Sequence, residues 1–142
     1  MQILSQKTVK LIVTISSLLF LITPIVSSQV NVNYDMNSML VRISIMKLEQ
    51  VMQDVKSHHI QHPAENGIYV LCSDSKTNNK CFSKLIEQNI KGIQKEGFRI
   101  RRTDKDKICI FATDETGCMY GMQDVTEQMR DNPKLSAVKE KT

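Results

Sequence analysis

An apolar run over residues 11–22, interrupted only by Thr14, Ser16 and Ser17 and closed by Pro24, separates a leader from the part of this chain that can fold. Lys7 and Lys10 precede the run as a positive n-region, and Val26 and Ser28 supply the small residues that signal peptidase needs at −3 and −1. The run is about a dozen residues long, whereas a membrane span needs ~20. Residues 1–28 are therefore predicted to be a cleaved signal peptide, with cleavage before Gln29, and the product to be secreted or periplasmic. No Cys stands at that site, which argues against a lipid anchor. On this reading the chain meets a membrane only through its signal.

Removing the signal leaves 114 of the 142 residues, enough for one core and one domain. A complete (β/α)8 barrel needs roughly 200 residues or more, so barrel enzymes are excluded. The formal charge of +4 falls to +2 once Lys7 and Lys10 are gone, and the remaining Lys and Arg are interleaved with Asp and Glu. That pattern predicts no nucleic-acid partner. Trp is absent, so the core must be aliphatic, with Met filling gaps.

Strand and helix signals alternate along the remainder. Residues 29–40 form a lead segment in which Val30, Val32 and Tyr34 alternate with polar residues and suit a short strand. Ile45, Met46, Leu48, Val51, Met52 and Val55 recur near 3.6 and predict a helix over 44–57, ended by the His58-His59-Ile60-Gln61-His62-Pro63 segment. Residues 68–72 are a short apolar run rich in β-formers, read as a buried strand. Phe82, Leu85, Ile86 and Ile90 predict a short helix over 81–90. Phe98-Arg99-Ile100-Arg101 alternates with period 2, a polar turn follows at 103–106, and residues 108–112 make a second, more buried strand. Cys118, Met122, Val125 and Met129 step by 4, 3 and 4 on a last helix, which Asn132-Pro133 stops. The expected fold is α+β: a two-layer sandwich of one small mixed sheet with helices on one face. Its domain runs over 41–131, and the charged tail 132–142 is predicted to be loose.

Few residues carry chemistry. His58 and His62 stand at i and i+4, but Pro63 follows and no H-E-x-x-H pattern is present, so a surface loop is expected and no metal. Asp114 and Glu115 are adjacent, so their side chains diverge; acidic residues just ahead of a helix cap it rather than act as a glycosidase pair. Ser73 and Ser83 lack a G-x-S-x-G setting, and no phosphate-binding glycine loop occurs. No cofactor is expected. Arg99, Arg101, Arg102, Lys105 and Lys107 cluster; Arg99 and Arg101 share one strand face, which is either a solvent-facing surface or the wall of an anionic ligand site.

Cys72, Cys81, Cys109 and Cys118 all follow the signal. In an exported chain an even number allows two disulfides, with three connectivities. The other reading is buried thiols that act as small hydrophobes. No CxxC pair is present, which argues against a zinc ribbon or thioredoxin-type site.

One group of motifs carries a resemblance. Glu96-Gly97-Phe98-Arg99-Ile100 reads as an E-G-[FY]-x-I strand, Ile108-Cys109-Ile110 as a second strand, and Asp114-Glu115-Thr116-Gly117-Cys118-Met119-Tyr120-Gly121 as a D-x-x-G-x-x-Y-G turn into a helix. In that order and spacing they resemble the small N-terminal accessory domain (the hexosaminidase domain 2-like unit) of α-glucuronidase-like and β-hexosaminidase-like glycoside hydrolases. The E-G-F-R-I strand tilts the likeness to the glucuronidase-like branch. The resemblance is carried by residues 96–130 and agrees with most of the mature chain. It implies a carbohydrate-metabolism setting and packing roles for Glu96, Gly97, Phe98, Ile100, Asp114, Gly117, Tyr120 and Gly121. Gly117 permits the turn, Gly121 lets the helix approach the sheet, and Tyr120 either plugs the layer interface or presents its hydroxyl to a neighbouring domain. In those families the catalytic carboxylates lie on a following barrel, which this sequence does not contain, so no catalytic residue is carried over. The resemblance thus implies a non-catalytic domain, truncated before its barrel, with that barrel as partner. The alternative is a secreted carbohydrate-binding or protein-interaction module, which the scarcity of aromatics opposes on the carbohydrate side.

Overall fold

A computed structural model describes residues 30–34, 38–52, 55–59, 66–74 and 80–142. The signal-peptide reading of 1–28 and His62 lie outside the described residues, as do the side chains of His58, His59 and Cys81. The elements are β1 (Val30–Tyr34), α1 (Met39–Val51), β2 (Val55–His59), β3 (Gly67–Cys72), α2 (Lys80–Ile90), β4 (Phe98–Asp104), β5 (Lys107–Ala112) and α3 (Glu115–Asp131), followed by one turn of 3-10 helix (Leu135–Ala137). The five strands form one mixed sheet in the order β2-β1-β3-β5-β4. All neighbours pair in parallel except β4, which runs antiparallel to β5.

The sheet carries helices on both faces. Val30, Val32, Ile68, Val70, Ile100, Ile108 and Ile110 point to one side, where they pack with Val41, Ile45 and Leu48 of α1 and Cys118, Met122, Val125 and Met129 of α3. The alternate residues Tyr69, Leu71, Cys109 and Phe111 point to the other side and meet Phe82 and Ile86 of α2. The α+β content and the mixed sheet stand as expected, but the expectation that all helices share one face is corrected. The reason is local. Every residue of β3 is buried, so the strand has no wet side, and a strand with two dry sides needs cover on both.

Three further expectations are corrected. The helix predicted over 44–57 begins and ends earlier. Ser38 caps it, its hydroxyl accepting from the Val41 N–H at 3.4 Å, and Met52 is already extended. Val55 fits the 3.6 period yet opens β2, which pairs with β1 from Val30↔Val55 to Tyr34↔His59. Tertiary pairing overrides a periodicity that ran one turn too far. Residues 30–34 are not a lead segment, since β1 is an interior strand between β2 and β3. The tail is not loose: Val138 is 3% exposed, and Lys141 and Ile100 exchange backbone hydrogen bonds at 2.8 and 3.1 Å. The turn at 103–106 is present in shorter form, with a register shift between Arg102 and Asp104.

Candidate functional site

The motif residues converge where β5 gives way to α3. Asp114 caps α3, its Oδ1 accepting from the Gly117 N–H at 2.8 Å, while Oδ2 accepts from the Glu96 N–H at 2.7 Å. One carboxylate thus joins the helix start to the turn that feeds β4. Partial desolvation works against its charge, but the N–H groups of Glu96 and Gly117, the Thr113 hydroxyl and the Lys95 charge prevail and hold it below the usual carboxylate range. Thr113 Oγ1 donates to Gln94 O at 3.3 Å, and the Gly97 N–H donates to the same carbonyl at 2.9 Å. Glu96 sits at φ 62°, the left-handed region that a non-glycine residue enters only when its surroundings fix it.

Two glycines make the close approaches. A Cβ on Gly117 would strike the backbone oxygen of Gly97, and one on Gly121 would strike Cγ2 of Ile110 and lie 3.3 Å from the Phe98 ring. Phe98 and Ile100 of β4 belong to the core that α3 covers. Glu96, Gly97, Phe98, Ile100, Asp114, Gly117 and Gly121 are therefore brought into one packing unit. Tyr120 is not part of it. At 42% exposure it leaves the layer interface and faces outward.

The charged candidates are engaged elsewhere. Glu115 accepts from the Ser38 hydroxyl at 2.8 Å, tying the starts of α1 and α3 together, so Asp114 and Glu115 serve different partners. Arg99 donates to the carbonyls of Asn89 and Lys91 at 2.6 and 3.3 Å and so caps α2. Arg102 donates to the carbonyls of Leu135, Ser136 and Val138, and Arg101 pairs with Glu140 at 3.2 Å. Of the two readings of Arg99 and Arg101, the anionic-ligand wall is the less served, because both guanidinium groups bind the protein's own acceptors. Lys107 lies 5.1 Å from the centre of the Tyr69 ring. His58 and His59 lie in β2, so the surface loop expected from His58 onward does not begin there, and His62 lies outside the described residues. Among the described residues no group of three or more His, Cys, Asp or Glu is placed to hold a metal, and no helix is long and apolar enough to cross a membrane.

Cys72 and Cys118 belong to the core under α1 and α3, whereas Cys109 belongs to the core under α2. The sheet lies between them, so Cys109 cannot bridge to either. Burial pushes the Cys109 thiol up, opposed by the Thr103 hydroxyl 3.6 Å away and by Lys107.

One surface feature escaped the sequence reading. Met39, Ile43 and Met46 are 75%, 39% and 58% exposed, and they stand at i, i+4 and i+7 on α1. With Tyr120 on α3 they put apolar side chains on the outside of one helix layer. The signal was present in the spacing, but a helix predicted to start at residue 44 cut the stripe in half. The groove between α2 and β4–β5 offers a sugar no ring face, because Phe82 is 6% exposed.

No family model and no curated protein matches the sequence. Solved structures do match its fold. A GH138 enzyme targeting pectin rhamnogalacturonan II aligns over 78% of this chain and 15% of its own, with a TM-score of 0.50 and 18% identity. A family GH115 4-O-methyl-α-glucuronidase with specificity for decorated arabinogalactans aligns over 72% of this chain and 14% of its own, with a TM-score of 0.48 and 23% identity. The chain therefore spans about one seventh of the glycoside hydrolases it matches, and what it shares with the first is a fold.

Proposed function

We propose that this chain is a non-catalytic accessory domain of a secreted glycoside hydrolase of the α-glucuronidase-like type. It is exported by the signal in residues 1–28, and its partner is a catalytic barrel. The observation that carries this reading is the match of 78% of the chain to part of a GH138 enzyme. Two features support it. Apart from Tyr120, the motif residues that resemble the hydrolase accessory domain are occupied in packing, and the Asp114 carboxylate is held by two N–H groups rather than aimed at open space. Met39, Ile43, Met46 and Tyr120 give the α1–α3 layer the exposed apolar side chains that a partner domain would cover.

The test is an assay of the purified chain on aryl glucuronides and aryl N-acetylglucosaminides. No turnover is expected, and robust turnover would overturn the reading. A protein-interaction module is the second reading, favoured by the same apolar stripe. Micromolar glycan binding by calorimetry would instead move the assignment to a carbohydrate-binding module.

A further inference from the structure

β4 is an edge strand, and its outer backbone groups are those that an unprotected edge offers to any passing strand. Here those of Ile100 and the Arg102 N–H are taken by the segment after α3. The Ile100 N–H donates to Lys141 O at 2.8 Å, and the Lys141 N–H donates back to Ile100 O at 3.1 Å. One position along the edge, the Arg102 N–H donates to the Glu140 carboxylate at 2.8 Å, and that carboxylate also pairs with Arg101. The Arg102 guanidinium reaches three carbonyls of the segment, on Leu135 at 3.1 Å, Ser136 at 3.2 Å and Val138 at 2.6 Å. Gln128 of α3 accepts from the Lys139 N–H at 2.7 Å.

We propose that this edge is a binding site for peptide, and that residues 135–142, a 3-10 turn followed by a short stretch that bridges to Ile100, are its occupant in cis. The chemistry of the occupant is set by the seat. Arg102, Ile100 and Gln128 read backbone, Arg102 at the 3-10 turn and beyond it, Ile100 and Gln128 on the stretch that follows. Three positions read side chains. Val138 is buried at 3% exposure, so an apolar residue is required there. Two residues on, Glu140 meets an N–H and a guanidinium, so a carboxylate is required. The next residue, Lys141, pairs with Asp124 and lies 5.5 Å from the centre of the Phe98 ring, so a cation is required. The ligand class is a peptide of pattern apolar-x-Glu-Lys, joined to the edge strand by one backbone bridge and selected by its side chains. The cis segment competes at the high effective concentration of a tethered ligand, and a free peptide enters where the segment is released.

The experiment uses the full chain and a fluorescein-labelled octapeptide, Leu-Ser-Ala-Val-Lys-Glu-Lys-Thr. Val138→Asp together with Lys141→Pro removes the buried anchor and the N–H given to Ile100, and so unseats the segment without altering the seat. Glu140→Ala does the same through the lost carboxylate and serves as the second variant if the first does not fold, as judged by circular dichroism. The peptide is expected to bind the variant at least about tenfold more tightly than the unmodified chain, since the tethered competitor is gone. A peptide carrying Gln in place of Glu is expected to bind the variant about two- to fivefold more weakly, through loss of an exposed ion pair. Absence of saturable binding to a folded variant, or equal binding to variant and unmodified chain, overturns the proposal. A dimer of the unmodified chain that dissociates on adding the peptide would assign the seat to the tail of a second copy, and would overturn the assignment to a separate peptide.

Discussion

The backbone amide of Glu96 donates to the side chain of Asp114 at 2.7 Å across a sequence gap of 18 residues. That contact fixes the left-handed turn ahead of β4 against the first turn of α3, so the two elements are set by one carboxylate. Asp114→Ala removes the helix cap and the tie together. It is expected to cost about 1–2 kcal/mol in urea unfolding, and Asp114→Asn less, because an amide oxygen still caps.

The same carboxylate predicts an acid dependence. Its affinity for protons is lower in the folded state than in the unfolded chain. Its contribution is therefore complete above the unfolded value of about 4 and is lost as pH falls through the lower folded value. The stability gap between the unmodified protein and Asp114→Asn, followed by urea midpoints from pH 7 down to pH 3, is expected to narrow only below about pH 4.

Gly117 and Gly121 are separated by one helical turn and differ in what an added methyl would meet. Backbone oxygen blocks Gly117, whereas the Cγ2 methyl of Ile110 blocks Gly121. Gly117→Ala is expected to destabilise by about 2–3 kcal/mol through overpacking. Gly121→Ala is expected to cost less, because it meets a side-chain methyl rather than backbone and alanine returns about 1 kcal/mol of helix propensity. A reversed order in thermal or urea unfolding would show that α3 shifts as a body.

Burial raises the Cys109 thiol in the folded state, with Thr103 and Lys107 opposing the shift. The raised value stabilises the fold below the unfolded thiol value, and that contribution declines as pH rises above about 8.5. Urea midpoints at pH 7 and pH 10 are expected to drop more for the unmodified chain than for Cys109→Ala. Iodoacetamide is expected to spare Cys109 until the protein unfolds, since the thiolate is the nucleophile.

The exposed stripe gives a contrast with the core. Ile110→Ala, at a position with no exposure, is expected to cost about 2–5 kcal/mol. Met46→Ala, at 58% exposure, is expected to stay within about 0.5 kcal/mol while reducing binding of a hydrophobic dye.

Much of this arrangement was written plainly in the sequence. The 4, 3, 4 stepping of Cys118, Met122, Val125 and Met129 named the buried face of α3, and the D-x-x-G spacing named its cap. The glycine roles followed from the need for close approach. What failed did so for identifiable reasons. Val55 continued a helical period although its place was set by pairing with Val30, a partner 25 residues away that periodicity cannot see. The apolar run of β3 announced two dry faces, but nothing local said which helix would take the second. Arg102 read as part of a basic patch because its carbonyl partners at 135–138 are ordinary backbone, invisible to any residue-type pattern.

β3 has consequences beyond its length. Its alternate side chains form opposite walls of two separate cores, Ile68 and Val70 for one, Tyr69 and Leu71 for the other. Either helix layer can lift away while the other still clamps this strand. Its amides and those of β5 should therefore be the last to exchange with solvent, and they exchange only when the whole molecule opens. A defect placed in β3 is felt on both sides at once, so the strand works as a party wall: neither core can be rebuilt without the consent of the other.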